Sequence, residues 1–201
     1  MANKQVTEIP TIDVVRVAVE VPTGENTSDM YILDTASQIQ VEPQVDEQDA
    51  IRLIVKGKLK AQKLPVTTIT GNQITLTDNV FSPELVKVLQ GGTIYYWQEA
   101  AHETSGTAVT EYGISGYTPP TVGSGEKGSI FKLHAWSAQY DASGQIVQYE
   151  HITYPNCQGV PFAPNSEDNV FRVSEYTINS APKKTEAPYT INYEATLPAI
   201  S

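Results

Sequence analysis

Cysteine is nearly missing from this chain: Cys157 is the only one among 201 residues. That excludes an intrachain disulfide and any multi-thiolate zinc site. Placed in the turn-rich stretch YPNCQGVP, it reads as a small buried residue rather than a nucleophile. Positive charge is scarce as well, with 13 Lys and Arg against 23 Asp and Glu and a net charge of -10. Generic nucleic-acid binding needs a cationic footprint and is excluded; a surface that nucleic acid passes without sticking is not. Long apolar runs are absent and the mean hydropathy is -0.27, so no membrane span is expected. The opening MANKQVTEIP lacks the apolar core of a signal peptide, and the chain is expected to be made and used without secretion.

Charged residues make up only 18%, below the usual share of about 25%. Thr, Val, Ile, Tyr, Ser and Gln take their place, a composition that favours strands. The length suits a single domain over 1–201 that buries its own core. It would have an N-terminal arm at 1–12, a long loop at 99–128 and a C-terminal tail at 194–201.

Enzymatic chemistry finds no foothold. His102-Glu103 begins like a zinc-helix motif, but Gly106 stands where the second histidine belongs. His134 and His151 fall on opposite strands of an expected hairpin, where a metal site is conceivable and partly exposed strand histidines are the ordinary reading. The glycines at 113–116 and 123–128 lack the strand-turn-helix context and the Lys-Ser/Thr ending of a phosphate loop. Paired carboxylates for a glycosidase are not expected from Glu42, Asp46, Glu47 and Asp49, which share a Pro- and Gln-containing connector. No catalytic residue, metal or cofactor is predicted.

The strongest local pattern lies at 66–92. Thr67–Thr70 and Gln73–Thr77 flank Gly71-Asn72, a pair suited to a primed hairpin turn. That register puts Ile69 opposite Ile74, and sends Thr68, Thr70, Gln73 and Thr75 to a polar face. A short helix follows. Ser82 caps it, Pro83 takes its first position, Glu84 complements the helix dipole and Gly91-Gly92 ends it. Leu85, Val88 and Leu89 form its buried stripe, with Phe81 placed to staple onto Val86.

Further strands are expected at 14–21, where Val15, Val17, Val19 and Val21 alternate with Arg16, Ala18 and Glu20, then at 30–33 and 38–41. Others follow at 93–98, in a hairpin of 129–140 with 145–154, and at 170–178 and 189–193. One long strand is expected over 50–62. It would place Arg52, Lys56, Lys58 and Lys60 with Ile54 on one face, and Ile51, Leu53, Val55, Leu59 and Ala61 on the other. Gly57 would then mark a bulge or a close backbone. The fold class is mainly β: an antiparallel sandwich or partly open barrel with one short helix packed on it.

Five of the 13 basic residues fall between Arg52 and Lys63. They serve either as edge-strand charges against aggregation or as a surface that meets the acidic strip of Glu42, Asp46 and Glu47 on a neighbouring copy.

The segment TLTDNVFSPELVKVLQGG (75–92) and the ending EYTINSAPKKTEAPYTINYEATLP (175–198) resemble the major tail proteins of tailed bacteriophages and prophage-derived tails. The resemblance covers most of the chain in element order. It implies a structural virion protein whose hexameric rings stack into a tube around a tape-measure protein, capped by terminator and tail-tip proteins. Double-stranded DNA would cross the lumen without specific binding, with no membrane involved. The subunit would be assembled in the host bacterial cytoplasm and end in the virion tail. Thr68, Thr70, Gln73 and Thr75 become candidate lumen residues. Arg52, Lys56, Lys58, Lys60, Glu42, Asp46, Glu47, Tyr112 and Tyr117 become candidate inter-subunit contacts. The loop at 99–128 is expected to order when the next ring docks. Another virion β-protein, such as a decoration or baseplate component, is one competing reading. A carbohydrate-binding module using Tyr95, Tyr96, Trp97 and Trp136 is the other, with buried strand aromatics as the ordinary alternative.

Overall fold

A computed structural model describes residues 10–98, 102–104, 107–109 and 112–199. In chain order the elements are β1 (Thr11–Pro22), β2 (Ser28–Leu33), β3 (Ala36–Gln48), β4 (Ile51–Val55), β5 (Lys58–Lys63), β6 (Val66–Asp78) and α1 (Pro83–Gln90). Then come β7 (Thr93–Gln98), β8 (His102–Thr104), β9 (Thr107–Val109), β10 (Tyr112–Thr118), β11 (Phe131–Tyr140), β12 (Ile146–Gly159), β13 (Ser174–Ser180) and β14 (Thr190–Glu194). The protein is mainly β, antiparallel, with one short helix, as its composition predicts. The main sheet runs β2-β1-β11-β12-β13-β6-β3, with β14 beside β12. Its end strands β2 and β3 do not pair with each other, so the sheet is open.

The helix forms as its residues dictate. Ser82 Oγ accepts from Leu85 N at 3.2 Å, and Gly91 N donates to Lys87 O at 2.8 Å. Leu85, Val86, Val88 and Leu89 are buried against the inner face of the sheet. Val17 and Val19 of β1, Leu133 of β11, Ile74 and Leu76 of β6, and Tyr176 and Ile178 of β13 complete that core. The expected alternation of β1 holds over Val17, Val19 and Val21, but a bulge at Val15 puts Val14 against the core in its place, and Ala18 on the other face is buried as well.

Two expectations about turns are exchanged. There is no hairpin at Gly71-Asn72: β6 runs unbroken from Val66 to Asp78. Ile69 pairs with Val45, and Ile74 pairs with Val41 on one side and Ile178 on the other. A Cβ on Gly71 would meet the backbone oxygen of Ser180, so this glycine serves a close approach of strands. The chain reverses instead at Lys56-Gly57, whose φ values of 51° and 74° suit a primed turn. The expected single strand over 50–62 is thus the hairpin β4–β5.

The stretch 99–128 is not one loop, because it holds β8, β9 and β10, the last paired with β7. The hairpin of β11 and β12 forms as expected, with Asp141 Oδ1 accepting from Ser143 N at 2.8 Å and Gln145 N at 3.0 Å. The fragment YTIN occurs at 176–179 and again at 189–192, in or beside β13 and β14, which follow one another along a single edge of β12.

Candidate functional site

The ladder between β3 and β6 continues past the body of the sheet to Gln48 opposite Val66, and β4–β5 extends it. The result is a long two-stranded ribbon over 45–69. Val45, Ile51, Leu53, Ile54, Val55, Leu59, Leu64, Val66 and Ile69 are all 42–67% exposed along it. Isolated hairpins are marginal in water and large apolar patches mark interaction sites.

The basic residues do not share one face as expected. Lys58 pairs with Val55 and Arg52 with Gln62, while Leu53 opposes Ala61 and Ile54 opposes Leu59, leaving Lys60 as the extra residue of a bulge. Turn and bulge therefore mix cations and apolar side chains on both faces. Lys56 sits in the turn itself. The ribbon is basic from Arg52 to Lys63 and acidic at its base, where Glu42, Asp46, Glu47 and Asp49 stand.

On the solvent side of β3, β6 and β13 the polar residues gather. Gln73 pairs with Glu42 and Asn179, Thr75 with Gln40 and Thr177, and Thr68 with Asp46. A bulge at Thr70, whose hydroxyl donates to Gln44 O at 3.1 Å, keeps Thr68 on the same face as Gln73 and Thr75. The predicted polar face exists, formed by neighbouring strands instead of a hairpin. Glu42 and Asp46 belong to this face, whereas Glu47 opposite Thr67 points the other way. None of these three strands contains a lysine or arginine.

Tyr117 is engaged within the subunit. Its hydroxyl donates to Gly91 O at 2.7 Å and accepts from Gln90 Nε2 at 2.8 Å, fastening β10 to the helix end. Tyr112 lies in β10, and its side chain lies outside the described residues. Residues 99–101, 105–106 and 110–111 of the expected docking loop are also outside them. Tyr95, Tyr96 and Trp97 are 45–61% exposed, contrary to the ordinary reading of buried aromatics. Trp97 lies across Gly113 and Tyr95 pairs with Gly116, so two of the three cover glycines of β10. Trp136 is buried and takes no part in an aromatic platform with them.

Sequence reading missed a polar cluster on the outer face of β1, β11, β12 and β14. His134 Nε2 meets Glu20 Oε2 at 3.1 Å, His134 Nδ1 meets His151 Nε2 at 2.9 Å, and His151 Nδ1 meets Glu194 Oε1 at 2.6 Å. Trp136 Nε1 donates to Glu194 Oε2 at 3.1 Å, and Lys132 Nζ donates to Glu20 Oε2 at 3.1 Å. The two histidines are not merely partly exposed strand residues; they bond to each other. Burial, together with His151 and Lys132, pushes His134 below its ordinary value despite Glu20. Burial opposes the charges of Glu20 and Glu194, yet hydrogen bonds from Lys132 and His134, and from Trp136 and His151, hold both carboxyls below the ordinary value. The only signals for this cluster were period-2 spacing and strand pairing, and register had to be known to use them.

Among the described residues no group of three or more His, Cys, Asp or Glu side chains is arranged to hold a metal ion. Burial pushes the Cys157 thiol up to about 12, which leaves it a poor nucleophile at neutral pH. No helix of the described residues is long and apolar enough to cross a membrane. In comparisons with known proteins, no family model matches the chain and no curated protein matches it.

Proposed function

We propose that this chain is a self-assembling structural protein whose hexameric rings stack into the tube of a phage or prophage-derived tail, the conduit for DNA. The observation that carries this reading is the ribbon over 45–69. It exposes apolar residues on both faces and opposes an acidic base to a basic outer half. A monomer gains nothing from such a ribbon. A repeated copy buries it and matches its charge against the next subunit, setting register more than affinity.

Two further features support the reading. The end strands β2 and β3 leave open sheet edges, which strand pairing between subunits would close into a barrel. The face carrying Thr68, Gln73, Thr75, Glu42 and Asp46 is polar, acidic and free of cations on its three strands. Facing a lumen, it would repel phosphate and keep DNA mobile. The tape-measure, terminator and tail-tip proteins are the partners this role requires.

Negative-stain microscopy of the purified protein at high concentration is the direct test. Rings or tubes are expected. A monodisperse monomer under all conditions would move the reading to a decoration or baseplate component, and glycan titration would identify a carbohydrate-binding module.

A further inference from the structure

The chain Glu20–His134–His151–Glu194 has an unusual proton requirement. Its two outer ring nitrogens, His134 Nε2 and His151 Nδ1, each face a carboxylate oxygen and must donate. Its two inner nitrogens meet at 2.9 Å, a contact that a hydrogen on one of them turns into a bond. The ring centroids stand 5.1 Å apart, close to the greatest separation that this N···N contact permits. The nitrogens therefore face each other head-on, as in an N–H···N hydrogen bond, with the Thr153 hydroxyl to one side, 3.3 Å from His134 Nδ1 and 3.2 Å from His151 Nε2.

Three hydrogens on four ring nitrogens make one imidazolium and one neutral imidazole. Two neutral rings would set a lone pair against Glu20, or hold two lone pairs 2.9 Å apart with only the Thr153 hydroxyl hydrogen to share. Two imidazoliums would set N–H against N–H. His151 has Glu194 at 2.6 Å and Trp136 stacked at 4.3 Å. Lys132, 3.1 Å from Glu20, disfavours a second positive charge on His134.

We propose that this single shared proton is a latch for the C-terminal strap, residues 190–199. The strap lies along β12 through β14 and returns over β1, where Arg16 Nη1 donates to Pro198 O at 2.7 Å. Glu194 ties its middle to the histidine pair and to Trp136. The other charged and titratable groups around the cluster are Arg16, paired with Asp34 at 3.1 Å, and Asp29 and Tyr31 of β2, which line a cleft of about 690 Å³ with both histidines. Loss of the proton leaves Glu194 with a neutral donor, and leaves two facing lone pairs to share the one Thr153 hydroxyl hydrogen. The strap then loosens as pH rises, opening the β12 edge at 149–153 to strand pairing.

The test reads protons and opening together. In the native protein at about pH 6, ¹⁵N resonances of the histidine rings are expected to show three protonated nitrogens of four. From there to about pH 8.5, hydrogen exchange of the β14 amides, corrected for intrinsic rate and referred to β11, is expected to lose about tenfold protection. In Glu194→Gln and His151→Phe that change with pH is expected to disappear, with the strap loose throughout. Two protonated nitrogens at about pH 6, or β14 protection that does not change with pH in the native protein, would overturn the latch. The native measurements decide even if a variant fails to fold.

Discussion

A Cβ at Gly71 would collide with the carbonyl of Ser180, which belongs to a neighbouring strand and has no room to retreat. Gly71→Ala is therefore expected to cost about 1–3 kcal/mol, read as a lower urea midpoint at unchanged m. Gly57 presents the opposite case, with nothing within 4 Å but a φ of 74°. Gly57→Ala should cost only about 1 kcal/mol, as backbone strain. Titration also acts at this scale. Glu20 and Glu194 have carboxyls lowered from 4.5, so the stabilisation that comes from their own ionisation is present above that value and is lost as pH falls through the folded values. His134 is lowered from 6.5, and the folded state resists its protonation, so acidification below that value also costs stability. Melting temperature should thus fall steadily on acidification from 6.5. Glu194→Gln should flatten the acid limb below 4.5, and an unchanged limb would remove Glu194 from this account.

The helix is the element whose behaviour its own residues explain best. Ser82→Ala leaves Leu85 N–H without its acceptor and should lower stability by about 1 kcal/mol in denaturant unfolding. Its packing depends on partners from afar: a Cβ on Gly159 would come within 2.5 Å of Leu89 Cβ. Among the strands, β1 and the β11–β12 hairpin were legible in the alternation of valines and in the Asp141–Gly144 turn. The β4–β5 hairpin was not. Lys56-Gly57 carries a weaker turn signal than Gly71-Asn72, and the choice between them was settled by β3. Its backbone pairs with β6 on both sides of Gly71, from Val66 to Asp78, which a turn at Gly71-Asn72 would prevent. Non-local pairing overrode local turn chemistry.

At the scale of the whole molecule, the ribbon over 45–69 separates folding from assembly. Its exposed apolar residues are absent from the core. Leu53→Ser with Ile54→Ser should therefore leave the melting temperature nearly unchanged while abolishing tubes in negative stain. Replacing Lys56 and Lys58 by Glu should weaken assembly, more so at low salt, where charge pairing is least screened. Assembly of that double variant unchanged at every ionic strength would remove the charge-matching role. The polar face of β3, β6 and β13 makes a separate claim. Lysines introduced at Gln73 and Thr75 should slow passage or release of DNA without preventing ring formation.

Composition and period-2 patterning were enough to reveal a mainly β, cysteine-poor chain with one capped helix, because those signals are local to each residue and its near neighbours. The lumen candidates Thr68, Gln73 and Thr75 also emerged on one face, although by way of a turn that does not form. What stayed hidden depends on which strands pair. The glycine that turns, the glycine that admits a neighbour, the mixing of charge around the ribbon and the linkage of Glu20, His134, His151 and Glu194 all rest on register between distant segments. Residue 20 and residue 194 meet only because β1, β11, β12 and β14 lie side by side. No local signal carries that adjacency, since it is bought with the burial of the shared core on the other face of the sheet.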